Sequence, residues 1–400
     1  MSREATRVVV TGVGVISPLG AGLADFEQRL YAGESAVRPS AQFSGATTAE
    51  VTAELTTWLG NKGVRVLDRT ARLLSVATHL ALCDAGIERP TEDGPEIGLV
   101  YGTMFGSMRS ITSFDWTSVT EGPSYVSPME FPNTVISSPG GQAAIKYGLR
   151  GVNSTICAGP AAALHALNIA AEFIRFGRAG AILAGGAEEL CQEALYSFQH
   201  RGLLSPRGVA RPFATDRDGT ALGEGSALWM LESEDGAAAR GRAPSVEILG
   251  FGESQDSQTT AECAAEAMRQ ALANSQISPD QVACIIAAAS GSPTVDDAEA
   301  RALFAVFNDD VPVCAPKATF GEAMGASGAF SAIVGALALH RQTLAPTPGA
   351  TGAGLLSPEA RKIAGDYAMI NAASYDGNFA SLIVRAWSGP GGNETSHAGI

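Results

Sequence analysis

Residues 151–167, GVNSTICAGPAAALHAL, carry a β-branched stretch through Cys157 into a Gly-Pro step and then into an apolar helical pattern that continues to Phe176. The pattern predicts a strand followed by a helix from Pro160 to Phe176. Because that helix is apolar nearly all round, it belongs in the interior and not on the surface. The same order of strand, small-residue step and apolar helix recurs at 311–339, VPVCAPKATFGEAMGASGAFSAIVGALAL. Each repeat lies downstream of a glycine-terminated strand, VVVTGVG at 8–14 and VEILGFG at 246–252. An internal duplication is therefore expected, with an N-terminal half over 1–240, a C-terminal half over 241–388 and a polar, glycine-rich tail at 389–400 expected to be disordered. The split falls in EDGAAARGRAPS at 234–245.

RVVVTGVGVIS at 7–17 and PEIGLVYGT at 95–103 are continuous runs bounded by glycine that alternate with long helical patterns. Runs of this kind are strands covered by helices on both faces, so the class is α/β. DRTARLLSVATHLALCDA, from Asp68 to Ala85, adds a helix with Asp68 as N-cap and Gly86 just past its end.

The chain has 400 residues, of which 46% are hydrophobic and 17% charged, with 46 glycines and a net charge of -14. This is the composition of a compact globular scaffold. The negative charge argues against nucleic acid, because nothing would neutralise phosphates. Six scattered cysteines without a CxxC pair argue against a disulfide framework or a zinc site and are expected to be mostly small core residues. No apolar run long enough for a membrane span and no signal-peptide pattern is present, so the expectation is a cytoplasmic protein without membrane or metal.

Several motifs carry a resemblance. They are VVVTGVGVISPLG at 8–20, PNTVISSPGGQAAIKYGLRG at 132–151, ILAGGAEE at 182–189, RPFATDRDGTALGEGSALWMLE at 211–232, APKATFGEAMGASGA at 315–329 and NAASYDGNFASLIV at 371–384. Together they resemble the β-ketoacyl synthases of the thiolase-like fold. The resemblance implies a duplicated five-layer αβαβα architecture with two buried central helices. It also implies decarboxylative Claisen condensation, in which a cysteine at the N-terminus of the buried helix takes the acyl group and two histidines stabilise the enolate.

The residues for that chemistry do not coincide here. Gly151, Gly177 and AGGAEE set a gapless register that puts Pro160 at the nucleophile position, with Cys157 three residues early, in the strand, as a core cysteine. Pro160, read as the first helical residue, has neither a nucleophile nor an N–H. AAASGSPTVDDAEA puts Ala288 at the first histidine position, and PKATFGEAMG keeps Lys317 but puts Glu322 at the second. The histidines at 79, 165, 200, 340 and 397 lie outside these motifs. His165 reads as a satisfied helix residue and His340 as a charge compensating a helix C-terminus. Lys317 and Glu322 are expected to form a structural ion pair. DRDGTALGEG at 216–225 reads as a turn that lets backbones approach, and VDDAEAR at 295–301 as the solvated start of a helix.

A synthase scaffold without nucleophile or histidines resembles the chain length factor, or ketosynthase β subunit, of bacterial type II polyketide synthases. The resemblance implies a catalytically silent chain that pairs with an active ketosynthase α subunit and closes a tunnel in which the polyketide grows. It implies no bound cofactor; the substrates ride on the phosphopantetheine of an acyl carrier protein that docks mainly on the partner. It places the tunnel wall on 104–126, where Met108, Ile111, Thr112 and Asp115 form one helical stripe, with Asp115 facing either solvent or a polar chain. Phe114, Trp116 and Phe131 are the candidates to reach the partner. Two alternatives stand beside this one: an active homodimeric β-ketoacyl-carrier-protein synthase using Cys157, and a purely structural partner subunit.

Overall fold

The computed structural model describes residues 6–88, 96–307, 311–351 and 355–389. The expected tail lies outside the described residues, apart from Gly389. Strand β1 (Val8–Ser17) is buried along nearly all of its length, as a continuous apolar run has to be. It is followed by β2 (Ile97–Gly102), β3 (Asn153–Ile156), β4 (Ala181–Glu188), β5 (Gly225–Ser233), β6 (Val246–Gln255), β7 (Val282–Ile286), β8 (Val313–Cys314), β9 (Tyr367–Ala373) and β10 (Asn378–Ala386). These strands form one sheet in the order β8-β7-β9-β10-β6-β1-β5-β4-β2-β3.

The duplication is visible in the hydrogen bonding. Outward from the antiparallel β1–β6 pair, β5 and β4 add antiparallel and β2 and β3 add parallel. On the other side β10 and β9 add antiparallel and β7 and β8 add parallel, so the two arms share one topology.

The principal helices are α1 (Arg69–Asp84), α2 (Met108–Thr120), α3 (Ser138–Tyr147), α4 (Ala162–Arg175), α5 (Gln192–His200), α6 (Ala261–Ser275), α7 (Pro293–Phe307) and α8 (Ser327–Arg341). Helices α4 and α8 touch each other and strands of both arms, α1 covers the first arm, and α6 with α7 covers the second. The result is the five-layer arrangement with two central helices. Matching glycines bring the outer helices close in each half. A Cβ on Gly14 would lie 2.0 Å from the Ala77 carbonyl of α1, and one on Gly252 would lie 2.1 Å from the Ala267 carbonyl of α6. Helix α1 is capped as its sequence predicts, with the Asp68 carboxylate accepting from the Ala71 N–H at 2.8 Å and Gly86 at φ 71.

Two expectations about the central helix change. Helix α4 begins at Ala162, with Ala161 as N-cap, because Gly159 at φ 55 and the Ala158–Pro160 bridge make a turn first. Pro160 therefore precedes the helix and is not its first residue. Nor is α4 buried all round. His165, Asn168, Ile169 and Glu172 are only half-buried, since polar residues at helical spacing form a stripe that meets the second arm. There His165 Nδ1 lies 3.1 Å from Glu253 and its Nε2 3.4 Å from Asn378, so it is satisfied as expected. The other central helix, α8, is buried from Ser327 to Leu339 except at Ala336, while His340 in its last turn is exposed. No helix among the described residues is long and apolar enough to cross a membrane.

Candidate functional site

The turn after β9 draws together the three positions at which the resemblance predicts lost catalytic groups. Ser374 Oγ donates to the Ala158 carbonyl at 3.0 Å, on the loop that carries Pro160. The Tyr375 hydroxyl lies 3.1 Å from Glu322 Oε2 and 3.2 Å from Ser290 Oγ, just past Ala288. Burial and the Glu322 carboxylate hold the Tyr375 phenol well above its ordinary pKa, so it acts as a donor. Sequence reasoning passed over both residues, although they stand in the quoted NAASYDGNF motif.

Glu322 is fully buried and fully engaged. Lys317 Nζ donates to its Oε2 at 2.7 Å, forming the predicted ion pair, while the Met324 N–H at 3.0 Å and the Ser327 hydroxyl at 2.6 Å bind Oε1. Its backbone is tied to the glycine-dense turn, with Gly223 N–H donating to the Glu322 carbonyl at 2.8 Å. That turn does let backbones meet: a Cβ on Gly223 would sit 2.3 Å from the Phe320 carbonyl.

The loop of Ala288 is held by acids expected to be solvated. Asp296 and Glu299 are both buried. Asp296 accepts the N–H groups of Phe213, Ser290 and Gly291, each at 3.0 Å. Glu299 accepts from Ala288 N–H at 2.9 Å and from Asn371 at 3.0 Å. Burial raises the Asp296 carboxyl and pushes Glu299 up to about 7. The spacing i, i+3 turns these two carboxylates inward, whereas Asp297 and Arg301 pair at 2.6 Å on the outer face. Only half of the charge run is therefore solvated.

Cys157 is not a core residue. It lies one residue beyond the end of β3 and is exposed, as is Cys83, whereas the other four cysteines are buried. Partial desolvation and the nearby Glu188 carboxylate raise its thiol pKa, the reverse of what activates a nucleophile. The helix N-terminus is four residues away, and the nearest partners of His79 and His165 lie elsewhere.

The expected tunnel stripe lies on α2. Met108, Ile111 and Thr112 are half-buried, and Asp115 is exposed to solvent. Phe114 and Phe131 pack on each other within the chain, with ring centroids 5.9 Å apart, while Phe131 and Trp116 also remain largely exposed. Val119, Tyr125, Met129 and Ile145 are exposed as well, on segments that connect by contact from α2 through 131–134 and α3 to the edge strand β3. Among the described residues, no group of three His, Cys, Asp or Glu could hold a metal ion.

Residues 5–237 match the model of the β-ketoacyl synthase N-terminal domain and residues 246–351 that of its C-terminal domain, and the chain belongs to the β-ketoacyl synthase family. It is 31% identical to a 3-oxoacyl-[acyl-carrier-protein] synthase 2 of Coxiella burnetii, over 95% of this chain and 99% of the relative. Among solved structures it is similar to a β-ketoacyl synthase of Burkholderia phymatum, with TM-score 0.88 at 29% identity over 96% of this chain and 100% of that one. It is equally similar, with TM-score 0.88 at 28% identity over the same shares, to a chain of the ishigamide ketosynthase/chain length factor.

Proposed function

We propose that this chain is a catalytically silent ketosynthase β subunit, a chain length factor, that pairs with an active ketosynthase of the same fold and closes the tunnel in which a polyketide grows. One observation carries the reading: the position expected to hold an enolate-stabilising histidine holds Glu322, a buried carboxylate engaged by Lys317 and Tyr375. A carboxylate there would repel an enolate. Pro160 offers no nucleophile and Ala288 no donor. The open edge of β3 and the exposed apolar residues beside it fit a large subunit contact, since unpaired strand edges and apolar patches of this kind are otherwise liabilities. The likeness to a chain of the ishigamide ketosynthase/chain length factor supports the same reading. Substrates would arrive on the phosphopantetheine of an acyl carrier protein docked mainly on the partner.

A second reading, an active homodimeric β-ketoacyl-carrier-protein synthase, is favoured by the full-length relatives named as 3-oxoacyl-[acyl-carrier-protein] synthases and by the exposure of Cys157. The two separate when the chain is expressed alone and with a Cys-bearing ketosynthase from the same gene neighbourhood, measuring solution mass and acyl transfer from a malonyl-loaded carrier. Inactivity alone and an active one-to-one complex support the silent subunit. An active homodimer that Cys157→Ala abolishes overturns it. Product length unchanged by Met108→Trp and Ile111→Trp within an active complex would instead leave a purely structural partner.

A further inference from the structure

Helix α2 has no buried side chain, and its N-cap Ser107 makes no side-chain capping bond. A helix of this length is marginal without a deeply buried apolar face, so bonds from elsewhere must add to the half-buried packing of Met108 and Phe114 to hold it. Two consecutive carboxylates at the end of β4 do so. Glu188 is completely buried and accepts four bonds: from Thr103 Oγ1 at 3.1 Å, from the N–H groups of Met104 and Phe105, the latter at 3.0 Å, and from the Gly325 N–H at 3.1 Å. The first three donors lie on the segment that enters α2. Glu189, also buried, accepts the Arg109 N–H in the first turn of α2 at 3.1 Å, and the Arg109 guanidinium donates to the Leu190 carbonyl at 3.1 Å. The fourth donor to Glu188 comes from the other half of the molecule. Gly325 follows Glu322 by three residues, and a Cβ added to it would lie 2.4 Å from Thr103 Cα, so the two loops are in direct backbone contact.

We infer that Glu188 and Glu189 are positioning residues that fix where α2 stands, and that Glu188, through Gly325, locks the tunnel helix to the degenerate centre around Glu322. The link to the tunnel rests on the proposed reading; the latch itself does not. A carboxylate can accept four N–H and O–H donors, whereas an amide has a single acceptor oxygen and would turn an NH2 toward donors. Removing an acceptor from buried donors costs those donors their partners locally.

The test is hydrogen exchange by mass spectrometry on the full chain as wild type, Glu188→Gln and Glu189→Gln, followed by product-length analysis of the same variants in complex with the ketosynthase. Peptides covering 103–120 should exchange roughly tenfold or more faster in Glu188→Gln, and faster in Glu189→Gln, while α1 and α8 keep wild-type protection. In the complex, product length should spread or shift at either variant. Unchanged exchange over 103–120 overturns the latch. If Glu188→Gln loosens the whole chain, Glu189→Gln, which leaves every Glu188 bond in place, decides, and exchange that rises equally everywhere in both overturns it. Faster local exchange with unaltered product length supports the latch and overturns instead the placing of the tunnel wall on α2.

Discussion

Glu322 and Lys317 form an ion pair with side-chain exposure of 0% and 3%, and the energetics of such a pair lie in its desolvation. Glu322→Ala would leave the ammonium buried and unpaired and is expected to destabilise the chain by about 3–5 kcal/mol, whereas Lys317→Met with Glu322→Gln should recover most of that loss. Urea midpoints of the three chains check this. The pairing was legible because Lys317 and Glu322 stand five apart across Gly321, at the end of a four-residue helix. The third partner, Tyr375, was not, since it arrives from 53 residues away along the chain. Cys157 illustrates the converse: its alternation in a β-branched run predicted a core thiol, but the strand ends one residue earlier and leaves it exposed. With its pKa raised, Cys157 should alkylate with iodoacetamide more slowly than a simple exposed thiol. Mass mapping of the six cysteines reads this directly, and faster-than-normal labelling of Cys157 would favour the active-synthase reading.

At the level of elements, local signals gave α1 to within a residue, because its Asp68 cap, apolar period and Gly86 are contiguous in sequence. They misplaced the start of α4 because a proline is equally at home just before a helix cap, and here the left-handed Gly159 decides between the two. They treated α7 as solvated at its start because acidic residues usually are, whereas backbone N–H groups of the distant Phe213 loop and of the loop just before the helix draw Asp296 and Glu299 inward. The glycines that seat the outer helices give an element-scale prediction. Gly14→Ala forces β1 and α1 apart and should cost about 1–3 kcal/mol or more. Gly141→Ala on α3 meets nothing within 4 Å and should be neutral or stabilise by up to about 1 kcal/mol. Denaturant titration of the pair distinguishes close approach from mere glycine content.

Over the whole molecule, the interior carries more buried acid than buried base. Desolvation pushes Glu299 up to about 7 and Glu189 up to about 8, from an ordinary 4.5. Each is thus protonated in the folded chain at a pH where the unfolded chain has lost the proton. Their contribution to stability is fully present below about pH 4.5 and is lost as pH rises through 7 to 8. Urea midpoints near neutrality and at about pH 9 should therefore fall with pH, and Glu189→Gln should flatten the fall. The α/β class, the duplicated strand and helix order, the capping of α1 and the residues that stand at 160, 288, 317 and 322 are all legible along the chain. All of these depend on local period, cap chemistry or residue identity. Three-dimensional packing sets the rest: the Ser374–Tyr375 turn joins those positions, Asp296 and Glu299 point inward, Cys157 is exposed, and Glu188 and Glu189 accept bonds from the start of α2. Each of these buried polar groups has at least one partner from a distant part of the chain, and no local pattern encodes which distant donors will reach it.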